Sequence, residues 1–328
     1  MGVCRWDIRD TPLSKSLVTL LQSMPNLRNL RFRLAERLHP NLRAAGLEPC
    51  FSGFKNIRIL TIMLIETLEQ LKQVGDILAN SPDMVGIKVA LKPNIPGTEG
   101  MDLSKILFRG NAPLKMAPAE LAIPDESFAD AGDIGESVEQ ERSSAAVSRY
   151  NATDDDYDRR HRHQFVSLKL YRVMFPATSN HLSTVIDFSR LVRLSLWQCG
   201  THPAFWKSLT TSESTVPRLH CIITDDAIPE LAEFLGSFSG LQEFYLVHSS
   251  GAMTLDALTS GLARHTDCLK CLAVYHLDPE GLVFNKKALR FFLKKCVKLK
   301  EIALSVADAD WVCTAIKFLY RPQNTDFD

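Results

Sequence analysis

The chain of 328 residues lacks a net charge: 38 Lys and Arg balance 38 Asp and Glu, so no global field favours nucleic acid or an anionic membrane as a partner. It lacks long hydrophobic runs. The longest, Ile59 to Ile65, falls far short of the roughly 20 residues that a spanning helix needs. Read from Met1, no secretory leader is expected, because Arg5, Asp7, Arg9 and Asp10 interrupt any apolar stretch. A dense cysteine framework is missing too. Cys4, Cys50, Cys199, Cys221, Cys268, Cys271, Cys296 and Cys313 are scattered, unlike those of a small secreted domain, so reduced thiols are expected. There is no G-x-S-x-G elbow, no phosphate-cradling glycine loop, no H-E-x-x-H and no dinucleotide fingerprint. These absences leave an intracellular protein, cytoplasmic or nuclear, with no cofactor, no catalytic residues and no enzymatic role expected.

What is present is a spacing that returns. Leu191 to Cys199, LVRLSLWQC, reads L-x-x-L-x-L-x-x-C, the signature of a leucine-rich repeat. Leu194 and Leu196 are two apart, so on a strand both point to one face, while Arg193, Ser195 and Trp197 point to the other. Copies begin at Leu27, Ile57, Met84, Phe165, Leu219, Leu241, Leu269 and Leu299. The steps between successive copies are 30, 27, 81, 26, 28, 22, 28 and 30 residues. All but one match a strand plus a helix. The copy at Leu219 is poorer, with Thr224 where an apolar residue belongs. Such strands cannot bury their apolar face alone and need a neighbour on each side.

Helical stripes fill the intervals. Ser14 and Ser16 precede Leu17, Leu20, Leu21 and Met24; Thr67 precedes Leu68, Leu71, Ile77 and Leu78; Thr254 precedes Leu255, Leu258 and Leu262; Asn285 precedes Leu289, Phe292, Leu293 and Cys296. Asp225 or Asp226 is expected to open the helix carrying Ile228, Leu231, Leu235 and Phe238, and Asp102 to Phe108 a short helix. Asp308 to Tyr320 is expected to close the stack. Trp6 and Ile8 look like the end of an earlier strand, so the chain reads as a fragment or truncated product.

Three segments follow. Residues 1–123 form irregular N-terminal repeats, with Leu121 and Ile123 as a degenerate strand. Residues 124–163 form a polar insert with too few large apolar side chains to offset the entropy of ordering, and a disordered loop is expected. Within it, DDDYDRRHRH reads first as a solvated, self-neutralising charge run, with a localisation or docking patch as the alternative. Residues 164–328 form the clearer C-terminal repeats.

Repeats of this length, with helices between strands, resemble the ribonuclease-inhibitor and F-box type of leucine-rich-repeat proteins, and the irregular copies are most similar to the repeat regions of fungal F-box-like proteins. The resemblance implies an α/β solenoid, or horseshoe, with parallel strands on a concave face, helices on the convex face and a protein partner held by the concave face. In the F-box branch it also implies substrate recruitment to a ubiquitin ligase through an adaptor-binding motif, which would have to lie upstream because none precedes the first repeat here. A repeat protein that regulates an enzyme, inhibitor-like or GTPase-activating, is the alternative. The ninth repeat position, usually Asn or Cys, is matched only by Cys199 among the clearer copies, so the turn after the strand must be satisfied differently elsewhere.

Strand parity nominates the partner-binding residues as Arg31, Arg33, Lys88, Lys169, Tyr171, Arg193, Trp197, Tyr245 and Tyr275. The stripe is basic in its first half and aromatic in its second, and Tyr, Trp and Arg tend to carry interface energy. One zinc-like constellation, His265, Cys268, Cys271 and His276, has the right ligand types. Its residues already fit the helix and strand register, so no metal is expected.

Overall fold

The computed structural model describes residues 2–7, 15–33, 51, 53–96, 98, 100–108, 163–175, 182, 185–200, 203–211, 218–248, 252–276 and 282–306. They fall in one compact unit drawn from Met1–Gly110 and His163–Asp328. Its centre is a single sheet of ten strands: β1 (Gly2–Asp7), β2 (Leu27–Arg33), β3 (Ile59–Ile65), β4 (Gly86–Leu91), β5 (Ser167–Tyr171), β6 (Arg193–Trp197), β7 (Cys221–Thr224), β8 (Glu243–His248), β9 (Cys271–His276) and β10 (Glu301–Leu304). Their order in the sheet is their order in the chain, and every pairing is parallel. The 81-residue step therefore advances the sheet by one position, since β4 and β5 are direct neighbours.

Parallel neighbours need a crossover. The described helices are α1 (Lys15–Gln22), α2 (Leu68–Ala79), α3 (Leu103–Leu107), α4 (Pro203–Thr211), α5 (Pro229–Ser237), α6 (Leu255–Leu262) and α7 (Lys286–Lys295). Caps fall where the sequence places them in three cases. The side chains of Thr67, Thr254 and Asn285 accept from the backbone N–H of Gln70, Ala257 and Ala288 at 3.1, 3.2 and 2.9 Å. Asp102 likewise caps α3. The expectation for Asp225 and Asp226 is corrected: α5 begins at Pro229, behind Ile228, without a side-chain cap. Proline fixes the first helical φ, and both carboxylates are used elsewhere.

Two ladders of apolar side chains cross one face of the sheet in register. Leu30, Leu60, Ile87, Leu168, Leu194, Ile222, Phe244 and Leu272 form the first; Phe32, Ile62, Val89, Leu170, Leu196, Leu246 and Val274, with Thr224 among them, form the second. All are buried in one core with Val74, Leu107, Trp206, Leu231, Leu258 and Phe292 of the helices, which covers this face. The buried Thr224 hydroxyl accepts from the Asp226 N–H at 3.1 Å, so the polar residue in the weak copy is satisfied. Helices approach closely where side chains are absent: a Cβ on Gly261 would lie 2.5 Å from the Ala232 carbonyl oxygen, and one on Gly75 would lie 2.8 Å from that of Ile106.

A polar residue at a helix end recurs as a structural part. Ser81 accepts from the Ile57 N–H at 3.0 Å, and His265 Nδ1 accepts from the Leu241 N–H at 3.2 Å; both pairs are 24 residues apart. His265 Nε2 lies 2.9 Å from the Leu235 carbonyl, so its proton sits there and both ring nitrogens serve the backbone. That geometry explains His265 without metal. Cys268 Sγ is turned to the carbonyls of Leu241 and His265, and Cys271 lies on β9.

The chain from residue 124 to 162, the Leu121 and Ile123 segment and Asp308 to Tyr320 lie outside the described residues. His163, at the end of the polar insert, is buried at 4% exposure, stacked on Phe165 at 5.0 Å and bridged to Ile186. Among the described residues, no helix is long and apolar enough to cross a membrane.

Candidate functional site

The alternate side chains of the same strands make up the other face, and the register arranges the nine nominated residues in three rows. The middle row runs Arg31, Thr61, Lys88, Lys169, Ser195, Ile223, Tyr245, Ala273. Two residues further on, the next row runs Arg33, Met63, Ala90, Tyr171, Trp197, and it holds Tyr275 beside Val247 at the far end. Arg193 belongs to the row two residues earlier, in register with Ser167, Cys221, Glu243 and Cys271. All nine therefore stand on one face. Arg31 and Tyr275 are exposed, and the others are half-buried.

Contacts tie the rows together. Lys88 Nζ lies 5.2 Å from the centre of the Tyr171 ring, a cation–π geometry that joins the basic and aromatic parts. Burial, with the nearby Arg31 charge, lowers the Lys88 pKa. Tyr171 Oη is 3.5 Å from the Ser195 hydroxyl, which is fully buried beneath its larger neighbours. Arg193 pairs with Glu243 at 2.9 Å, passing over Cys221 on the strand between them. Both partners remain partly in water, so the pair contributes under about 1 kcal/mol to stability and mainly fixes side-chain position.

The nominated set left out Glu243, Ser195, Cys221 and Cys271, which stand in the same rows. The signal was available for Glu243, which stands two residues before Tyr245. Burial pushes the Cys221 thiol up to about 12, helped by the Glu243 carboxylate, and burial also raises Cys271. Neither is poised as a thiolate. Hydrogen bonding to Cys271, then burial, raises the Tyr245 pKa.

The strand ends on the C-terminal side complete the geometry. Arg172 and Gln198 follow β5 and β6 at matching positions, and both are left-handed, with φ of 60° and 52°. Arg172 Nε donates to Gln198 Oε1 at 2.7 Å, and the Gln198 N–H donates to Asp225 Oδ2 at 2.9 Å. Burial raises the Asp225 pKa. The turn after β6 is thus held both by Cys199, whose thiol donates to the Leu170 carbonyl at 3.3 Å, and by the carboxylate of Asp225, just beyond the end of β7. Asp226 turns inward and accepts from the indole N–H of the fully buried Trp206 at 3.0 Å; burial pushes its carboxyl up to about 7.

Among the described residues, no group of three or more His, Cys, Asp or Glu is placed to hold a metal ion. Compared with known proteins, the chain matches no family model. A search of curated proteins likewise returns no match.

Proposed function

We propose that the chain is a leucine-rich-repeat solenoid acting as a non-catalytic scaffold, with its strand face concave and holding a protein partner. The reading is supported above all by the three aligned rows of Arg, Lys, Tyr and Trp on the face opposite the helical core. Side chains on adjacent strands are about 5 Å apart, so a partner crossing the sheet would meet these residues together. The half-buried rings of Tyr171, Trp197 and Tyr245 are already partly ordered by neighbours, which lowers the entropy lost on binding.

In the F-box branch of the resemblance, the partner is a substrate handed to a ubiquitin ligase. Co-purification of the ligase adaptor with the full-length gene product would assign the chain to that branch. A change in GTP hydrolysis or nuclease activity of a captured enzyme would make it a regulator instead. The test of the scaffold reading is affinity capture with mass spectrometry, comparing the wild type with a folded W197A/Y245A variant. Proteins captured by the wild type and lost by the variant are expected; identical captured sets would refute the reading.

A further inference from the structure

A cleft of about 600 Å³ opens at the N-terminal ends of the strands, away from the rows described above. It is lined by Arg28, Arg58 and Arg190, with Asn56, Gln164 and the single carboxylate Asp83 around them. Its volume lies within the roughly 300–1,000 Å³ of small-ligand sites.

The arginines arrive by the fold. Arg28 and Arg58 are neighbours across β2 and β3, since the Arg58 N–H donates to the Arg28 carbonyl at 2.7 Å. Arg190 ends the 3-10 turn before β6, three strands beyond β3, or ~14 Å along the sheet. Like charges set opposite each other on adjacent strands are unfavourable, and here one carboxylate faces three guanidinium groups. Arg28 Nη1 donates to the Asn56 carbonyl at 3.2 Å, which leaves most of its donors free. Arg58 and Arg190 are exposed, and their side chains meet no acceptor among the described residues. A planar guanidinium presents a fork of donors that matches an oxyanion in bidentate fashion.

We propose that this cleft binds an oxyanionic ligand, phosphate- or carboxylate-bearing, with at least two anionic groups: one held by Arg28 and Arg58, the other by Arg190. Asp83 opposes binding and keeps the empty cleft from excessive repulsion. The inference is independent of the scaffold reading, because the cleft shares none of its residues with the strand face.

The test is isothermal titration of the full chain with inorganic tripolyphosphate in one arm and citrate in the other, at low and moderate salt. Saturable binding that falls with salt is expected, at least tenfold weaker in R58Q/R190Q and several-fold tighter in D83N. K88Q/K169Q on the strand face should bind like the wild type. Binding of tripolyphosphate alone assigns a phosphate-bearing ligand, and of citrate alone a carboxylate-bearing one. No saturable binding in either arm would overturn the proposal, as would unchanged affinity in R58Q/R190Q at retained melting temperature, or loss of binding in K88Q/K169Q.

Discussion

Leu196 and Trp197 are consecutive in β6, yet Leu196 is fully buried under the helices while Trp197 stands half-buried on the opposite face. The same contrast holds for Leu168 and Lys169 in β5 and for Phe244 and Tyr245 in β8. One face is constrained by close packing, which admits aliphatic and aromatic side chains and one satisfied threonine. The other is closely packed only in places, as at Ser195 and Cys221, so its middle row changes from Arg31, Lys88 and Lys169 to Ile223 and Tyr245 without changing the strands beneath. The pairing fixes where side chains stand, and on the helix side packing restricts what they are along the whole ladder.

The sharpest way to break that contrast is to truncate each neighbour. Leu196→Ala should cost about 4 kcal/mol of unfolding free energy, from lost burial and the cavity left behind. Trp197→Ala should cost under about 1 kcal/mol, read by denaturant titration of both variants. Equal losses would mean that the two faces are packed alike.

The next effect depends on pH. His163 is buried, its Nε2 has no partner among the described residues, and burial lowers its pKa to about 4. Its unfolded value is near 6.5, so the unfolded chain binds more protons between these limits, and stability falls as pH drops through that window. His163→Phe keeps the stacking on Phe165 and removes the charge. The variant should gain on the wild type by about 3 kcal/mol in total between pH 7 and pH 4. A constant difference across that range would show that the imidazole is not held neutral.

Effects on binding come third. Trp197→Ala and Tyr245→Ala should each weaken partner binding by about 2 kcal/mol at any ionic strength. K88Q/K169Q should weaken it mainly at low salt and flatten its salt dependence, because charges still partly in water are screened. Identical salt profiles for both kinds of variant would erase the distinction between the basic and aromatic parts. Smallest of all, Arg193→Gln should change stability by under about 1 kcal/mol, measured against Glu243→Gln and the double variant.

Much of this was legible in the sequence. Paired apolar positions such as Leu194 and Leu196 located the strands, and their parity put all nine nominated residues on one face. Thr67, Thr254 and Asn285 marked helix starts because a cap bonds within three residues of itself. What escaped depends on partners distant in sequence. Asp225 and Asp226 look like caps until Gln198 and Trp206 are brought beside them, 27 and 20 residues away. Glu243 meets Arg193 across 50 residues. His163 ends a charge run, yet it sits two residues before the buried Phe165 and follows it into the core. Arg28 and Arg58 take the same second position of their copies, but Arg190 stands just before its own copy, and only the sheet brings the three around one cleft.

The central claim is that the strand face, not the helix side, meets the partner. Hydroxyl-radical footprinting of the captured complex tests it most directly, since Trp197, Tyr171 and Tyr275 report one side and Leu20 and Met24, both exposed, report residues in and beside α1. Slower oxidation of the three aromatic residues on binding, with Leu20 and Met24 unchanged, is the predicted result. Protection confined to Leu20 and Met24 would contradict the account.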